Sequence, residues 1–199
     1  LSEQIFIMKF WIKTASLMCT LLSAGVIACE QPASICFSDN GGLPIIQDSQ
    51  PLPIIISPNA DPAVKRVAKA FSNDIERVGG INADISEKQE ISQPAIIIGV
   101  LGEDSLIDRL VENGKIDVSG VKHQWEAYQI SVVDEPLPGV EQALVIVGAD
   151  RRGAIFGTFE ISEQMGVSPW HWFADVPTEQ HSNVYITPGS TQDKPKVRY

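Results

Sequence analysis

Trp170, His171, Trp172 and Phe173 are consecutive, and they gather two of the chain's four tryptophans into one aromatic cluster with Asp175 just beyond it. Such a cluster can plug a core, stack on sugar rings, or meet another domain. Asp175 precedes Val176-Pro177, where an aspartate either fixes a turn by accepting backbone hydrogen bonds or points into a shared cleft. Asp175 and Glu179 bracket the end of the cluster, and Glu160 and Glu163 lie three apart just upstream of it. Two acids flanking a bond are the usual apparatus of glycoside hydrolysis. A Glu pair on one helix face is more ordinarily a solvated surface, so no catalytic residue is assigned from these pairs.

The segment GADRRG, Gly148 to Gly153, has the placement of a phosphate loop between strand and helix. The Lys and Ser/Thr that would complete such a loop are replaced by Ala154 and Ile155, which makes Asp150 a helix cap instead. His123, His171 and His181 share no metal-ligand spacing with one another or with Cys36. No Ser or Cys sits in a nucleophile elbow or dyad context. Neither a metal nor a cofactor is expected. With Lys+Arg 15 against Asp+Glu 25, the net charge is −10 and no basic stripe is present, so nucleic acid would be repelled.

These residues need a frame, and the hydrophobic pattern supplies one. The chain of 199 residues, 44% hydrophobic and 20% charged, is of a size and composition to fold around one core. LPIIIS is a short β-branched run suited to a buried strand. NADPAVKRVAKAFSNDIERVGG then carries Asp61 as cap, Pro62 in the first turn, and Val64, Val67, Ala68, Phe71, Ile75 and Val78 at helical spacing before Gly79-Gly80. AIIIGVL is a second buried strand, followed by a helix with Leu106, Ile107, Leu110 and Val111 on one face. EAYQISVVD and QALVIVGAD are two strands joined by a short turn, which makes them antiparallel neighbours. A third helix, RRGAIFGTFEISEQMG, places Ile155, Phe159 and Met165 as core contacts, with Gly153 and Gly157 letting it lie close on the sheet; NVYIT is the last strand. The fold class is α/β of the α+β type: a mixed β-sheet with about three packed helices, in one domain over residues 52–188.

The N-terminus carries an address. From Met8, two lysines precede an apolar run from Thr14 to Ala28 that ends in small residues, the pattern of a secretory signal. The run is too short for a comfortable membrane span. Val26-Ile27-Ala28-Cys29 also resembles a bacterial lipobox, in which Cys29 becomes the lipid-bearing first residue. The alternative is ordinary signal cleavage and a Cys29–Cys36 disulfide in an oxidising compartment. The expected layout is a leader and signal over 1–28, an exported tether with at most one short strand over 29–51, the domain over 52–188, and a linker over 189–199. The chain is expected in the periplasm, on the cell surface as a lipoprotein, or secreted, with membrane contact only through the lipid.

The run VGADRRGAIFGTFEISEQMGVSPWHWFADVP, Val147 to Pro177, resembles the N-terminal domain of glycoside hydrolase family 115, the xylan α-glucuronidases. DPAVKRVAKAFSNDIERVGG is similar to that domain's first helix, and the likeness covers most of the chain after about Ile35. More loosely, GAIFGTFEISEQ followed by KPKVRY resembles the accessory domain that precedes the (β/α)₈ barrel in family 20 hexosaminidases and family 67 α-glucuronidases. The resemblance implies a parent enzyme that releases 4-O-methylglucuronic acid from xylan. It also implies that the catalytic residues belong to a barrel of about 250 residues beyond Tyr199, so none is carried over to this chain. The implied partners are that missing barrel and, through the parent enzyme, glucuronoxylan. The contrasting reading is a stand-alone carbohydrate-binding or structural lipoprotein whose Trp170, Trp172 and Phe173 stack on sugar.

Overall fold

The computed structural model describes Cys29 and residues 31–39, 41–170 and 176–196. Its first parallel strand, β4 (Ile54–Ile56), leads into helix α1 (Pro62–Gly79). The helix starts where the sequence dictates: Asp61 Oδ1 accepts from the Ala63 amide at 2.7 Å, and Pro62 occupies the first turn, where no amide donor is needed. It ends at Gly80, whose φ of 87° only glycine adopts without cost and whose amide donates to the Glu76 carbonyl at 2.8 Å. Val64, Val67, Ala68, Phe71, Ile75 and Val78 are all buried, each large one worth roughly 1.5–3 kcal/mol over exposure.

Strand β5 (Ile85–Ser86) and strand β6 (Ala95–Val100) follow, then helix α2 (Ser105–Glu112). Strands β7 (Tyr128–Asp134) and β8 (Gln142–Gly148) form the expected antiparallel pair, and helix α3 (Arg151–Gln164) leaves the end of β8. With β10 (Gly189–Asp193) they make a six-stranded mixed sheet in the order β10-β7-β8-β6-β4-β5. The β8-β6-β4-β5 part is parallel. Alternation along the strands sorts two cores. Ile54, Ile96, Ile98, Leu144 and Ile146 face α1 and α3, whereas Ile55, Ile97, Val145 and Val147 face α2.

Three expectations need correction. Residues 29–51 are not a tether: they contain β1 (Ile35–Cys36), β2 (Leu43–Gln47) and β3 (Gln50–Pro51). With β9 (Val184–Ile186) these build a second, antiparallel sheet in the order β1-β9-β2-β3, so there are two sheets rather than one. Leu43, Ile45, Ile46, Val184 and Ile186 join the core of α1 and α3, and Gly79 of α1 lies directly against Ile46. The cause is a handful of apolar side chains among the Pro and Gly residues, enough to bury once β9 returns beside them. Residues 189–193 are not linker either, because β10 is the edge strand on β7, Gly189 opposite Val132 and Asp193 opposite Tyr128.

The third correction concerns α3. Ile155 is half-buried and Phe159 is 47% exposed, while Gly153, Ala154, Gly157, Thr158 and Ile161 form the buried face. Met165 is buried as expected. Small residues are needed because the helix rides very close to the sheet: a Cβ on Gly153 would stand 2.0 Å from the Ala127 carbonyl oxygen.

Candidate functional site

Of the aromatic cluster, Trp170 lies among the described residues; His171, Trp172, Phe173 and Asp175 fall outside them. Trp170 is 65% exposed, and its amide donates to Ser168 Oγ at 3.2 Å. It follows the end of α3 through a turn at Gly166, φ 87°. The outward face of α3 continues the apolar surface with Phe156 and Phe159, three residues apart and both exposed. Val176, the first described residue after the cluster, is exposed as well. Phe156, Phe159, Trp170 and Val176 are thus exposed apolar side chains before and after the cluster in the sequence.

Beside that face, between α1 and the end of α3, is a cleft of about 410 Å³ lined by Asp74, Phe159, Ser162, Glu163, Val167, Ser168 and Pro169. This size lies within the range of small-molecule sites. Asp74, buried on α1, accepts through Oδ1 from Arg77 Nη1 at 2.6 Å. Among the described residues, Ser162 Oγ is buried and has no hydrogen-bond partner. Nothing in the sequence pattern marked Asp74 or Ser162. The available signal is that Ser162 lies three residues after Phe159 and three before Met165, on the face whose spacing predicts core.

The carboxylates on α3 divide in role. Glu160 is half-buried, accepts from Gln164 Nε2 at 2.8 Å, and lies close enough to the Tyr128 phenol for its charge to act on it. Burial, reinforced by the Glu160 charge, raises the Tyr128 phenol from 10.0 to about 12. Gln164 Oε1 in turn accepts from the Ile35 amide at 3.0 Å, so Glu160 and Gln164 tie α3 to β7 and β1. Glu163 is exposed and faces the cleft. Glu160 is thus occupied by a structural network, and the two acids do not form a matched pair.

Asp150 caps α3, its Oδ1 accepting from the Arg152 and Gly153 amides at 3.0 and 2.9 Å, while Oδ2 accepts from the Glu126 amide at 2.9 Å. Glu126, buried and with φ 55°, pairs with Arg152, and Arg151 pairs with Asp61 at 3.2 Å. Asp104 caps α2, accepting through Oδ1 from Leu106, Ile107 and Gln89. Burial pushes its carboxyl above the usual value, opposed by those amide donors. His181 stacks on Phe37 with ring centroids 3.8 Å apart. Among the described residues no group of three His, Cys, Asp or Glu is arranged to hold a metal, and no helix is long and apolar enough to cross a membrane.

At the N-terminus, Cys29 and Cys36 form a disulfide, with Cα atoms 5.8 Å apart. A lipid thioether at Cys29 needs the same sulfur, so the two fates of that residue exclude each other.

No family model matches the chain, and no curated protein matches it. Among solved structures, it is similar to one described as "A novel family GH115 4-O-Methyl-alpha-glucuronidase, BtGH115A, with specificity for decorated arabinogalactans". The identity is 28%, the TM-score 0.64, and the match covers 79% of this chain and 19% of that one. A second, "Structure of CpGH84D", aligns over 82% of this chain and 24% of that one at 13% identity with a TM-score of 0.44. The chain spans about a fifth of the length of the first. The three helices, mixed sheet and antiparallel sheet of the described residues are thus the fold of a domain associated with a glycoside hydrolase and similar to a part of a family 115 enzyme.

Proposed function

We propose that the chain is the non-catalytic leading domain of an exported glycoside hydrolase that removes (4-O-methyl)glucuronic acid from a decorated glycan. The observation that carries this reading is the 28% identity over 79% of the chain to a domain-sized part of an α-glucuronidase. The chemistry is assigned to a following barrel, where such enzymes build their sites at the strand C-termini. The role of this domain is to support that barrel. The exposed Phe156 and Trp170 are the docking face, and Trp172 and Phe173, which follow in the sequence, are its further candidates, since aromatics bury large areas when they meet a partner.

Xylan is the first substrate to test. The solved relative is named for decorated arabinogalactans, which makes those the second. Export follows from the lysine-flanked apolar run before Cys29. The test is to assay this chain alone, and the polypeptide encoded by its whole reading frame, on glucuronoxylan and on arabinogalactan. The expected result is methylglucuronic acid from the longer polypeptide and none from the chain. Release by the chain alone, abolished by Glu163→Gln, overturns the non-catalytic assignment.

A further inference from the structure

From the cleft between α1 and α3 we infer a second carbohydrate contact, a site for a neutral pyranose unit of the glycan, distinct from the acid sugar the parent enzyme is proposed to release. The inference rests on the glycosidase-associated reading above and deepens it by naming the sugar class. Three observations meet here. The partly exposed Phe159 lines the cleft with Val167 and Pro169, an apolar wall suited to the C–H face of a sugar ring. Ser162, which lines the cleft, carries a buried hydroxyl with no partner among the described residues, a cost that a ligand hydroxyl reaching it would remove. Asp74 and Glu163 supply oxygen acceptors for further hydroxyls.

Charge decides which sugar. Arg77 already neutralises Asp74 at 2.6 Å, so the cleft does not call for a cationic guest. Glu163 remains, on a chain of net charge −10, and disfavours a uronate. A neutral backbone unit, xylose or galactose in character, satisfies both conditions. The cleft also opens at the rim of the proposed docking face, so a glycan held there would run along the boundary between this domain and the next.

The experiment is ¹H–¹⁵N NMR titration of the chain, following the amides of Ser162, Val167 and Trp170, with xylotetraose, β-1,3-galactotetraose, glucuronic acid and arginine methyl ester as separate probes. One of the neutral tetraoses is expected to shift these amides with a Kd on the order of 1 mM, weakened about tenfold by Phe159→Ala and about threefold by Ser162→Ala. Phe159 is half outside already, so its removal leaves the fold intact, and an unchanged spectrum elsewhere verifies that. The inference is overturned if neither tetraose shifts them at tens of millimolar, if the shifts survive Phe159→Ala, or if glucuronic acid or arginine methyl ester binds as well as or better than the tetraoses. Failure here, with glucuronidase activity intact in the longer polypeptide, sinks the site and leaves the parent reading standing. Binding here, with no glycosidase activity in the longer polypeptide, does the reverse.

Discussion

Replacing Gly153 by alanine should unseat helix α3, and the size of the effect follows from what surrounds the missing Cβ. An added Cβ would lie 2.0 Å from the Ala127 carbonyl oxygen, 2.9 Å from its carbon and 3.3 Å from the Glu126 carbonyl carbon, all backbone. That backbone cannot yield. The Ala127 oxygen accepts from the Ala149 amide at 2.9 Å, the Glu126 amide donates to Asp150 at 2.9 Å, and the Glu126 side chain is held by Arg152. The helix must therefore move outward, loosening Ala154, Ile161 and Met165 from the core. Alanine in a helix gains about 1 kcal/mol over glycine, whereas overpacking costs about 1–3 kcal/mol and more where backbone must shift. The net expectation is a loss of about 3 kcal/mol, a fall in Tm of roughly 6–12 °C for a chain of this size. Gly157→Ala is the control, because its Cβ would meet the Ile146 and Tyr128 side chains at 3.0 Å, and the net change there should stay within about 1 kcal/mol. Thermal and urea unfolding of both variants decide the matter. A Gly153→Ala chain as stable as the parent would refute the close seating of α3.

Tyr128→Phe tests the alkaline limb. The folded phenol is raised from 10.0 to about 12, so its contribution is complete below the unfolded value and disappears as pH rises towards 12; the variant's Tm should fall less steeply across that window. Cys29→Ser removes a crosslink of sequence separation 7 and should cost about 2 kcal/mol, read by denaturant unfolding with and without reductant. Peptide mapping of the protein without reduction should find Cys29 joined to Cys36, and a lipid thioether at Cys29 in all of the material would overturn that pairing. Phe156→Ser and Trp170→Ser, both at exposed positions, should reduce self-association of the isolated chain in light scattering without lowering its Tm. A drop in Tm on either substitution would assign these rings to the core instead.

How far the sequence could be read depended on whether a signal was local. Helix α1 was legible because its apolar stripe, the Asp61-Pro62 start and the Gly79-Gly80 stop are contiguous, and β6 and β8 because they are uninterrupted apolar runs buried on both faces. Helix α3 lies where the sequence places it, close on the sheet at Gly153 and Gly157, and of the core contacts its spacing predicts Met165 is buried; that closeness excludes large side chains from the inner face, which leaves Ile155 half-buried and sends Phe156 and Phe159 outward. The second sheet was missed because its strands are short and their partner is remote: Cys36 pairs with Tyr185, and Leu43 with Ile186. Polar β10, GSTQD, has no pattern of its own and is a strand only because β7 offers it an edge. The cleft was illegible for a related reason, since Asp74 and Ser162 come together only when α1 and α3 pack side by side.

The position of that cleft becomes intelligible when set against the place where an α/β sheet ordinarily binds ligands. In such sheets the crevice lies beyond the carboxyl ends of the parallel strands. Strand β4 is followed by α1 on one face of the sheet and β6 by α2 on the other, so a switch point exists here between β4 and β6. It is closed. Asp61 and Asp104 turn inward as caps of the two helices, a Cβ on Gly99 would meet Asp104 Oδ2 at 2.9 Å, and only about 10 Å³ is left between them. Arg151 bridges from α3 to Asp61, and Asp150 is committed to its own helix and to Glu126. Carboxylates that point at helix N-termini satisfy amide donors that a phosphate would otherwise need, so this edge disfavours an anionic ligand. The chain's available chemistry is displaced to the helical side, where α3 lies so close to the sheet that its aromatic residues have nowhere to go but out. A surface forced outward by Gly153 and Gly157 is the one on which both the proposed docking face and the sugar cleft depend.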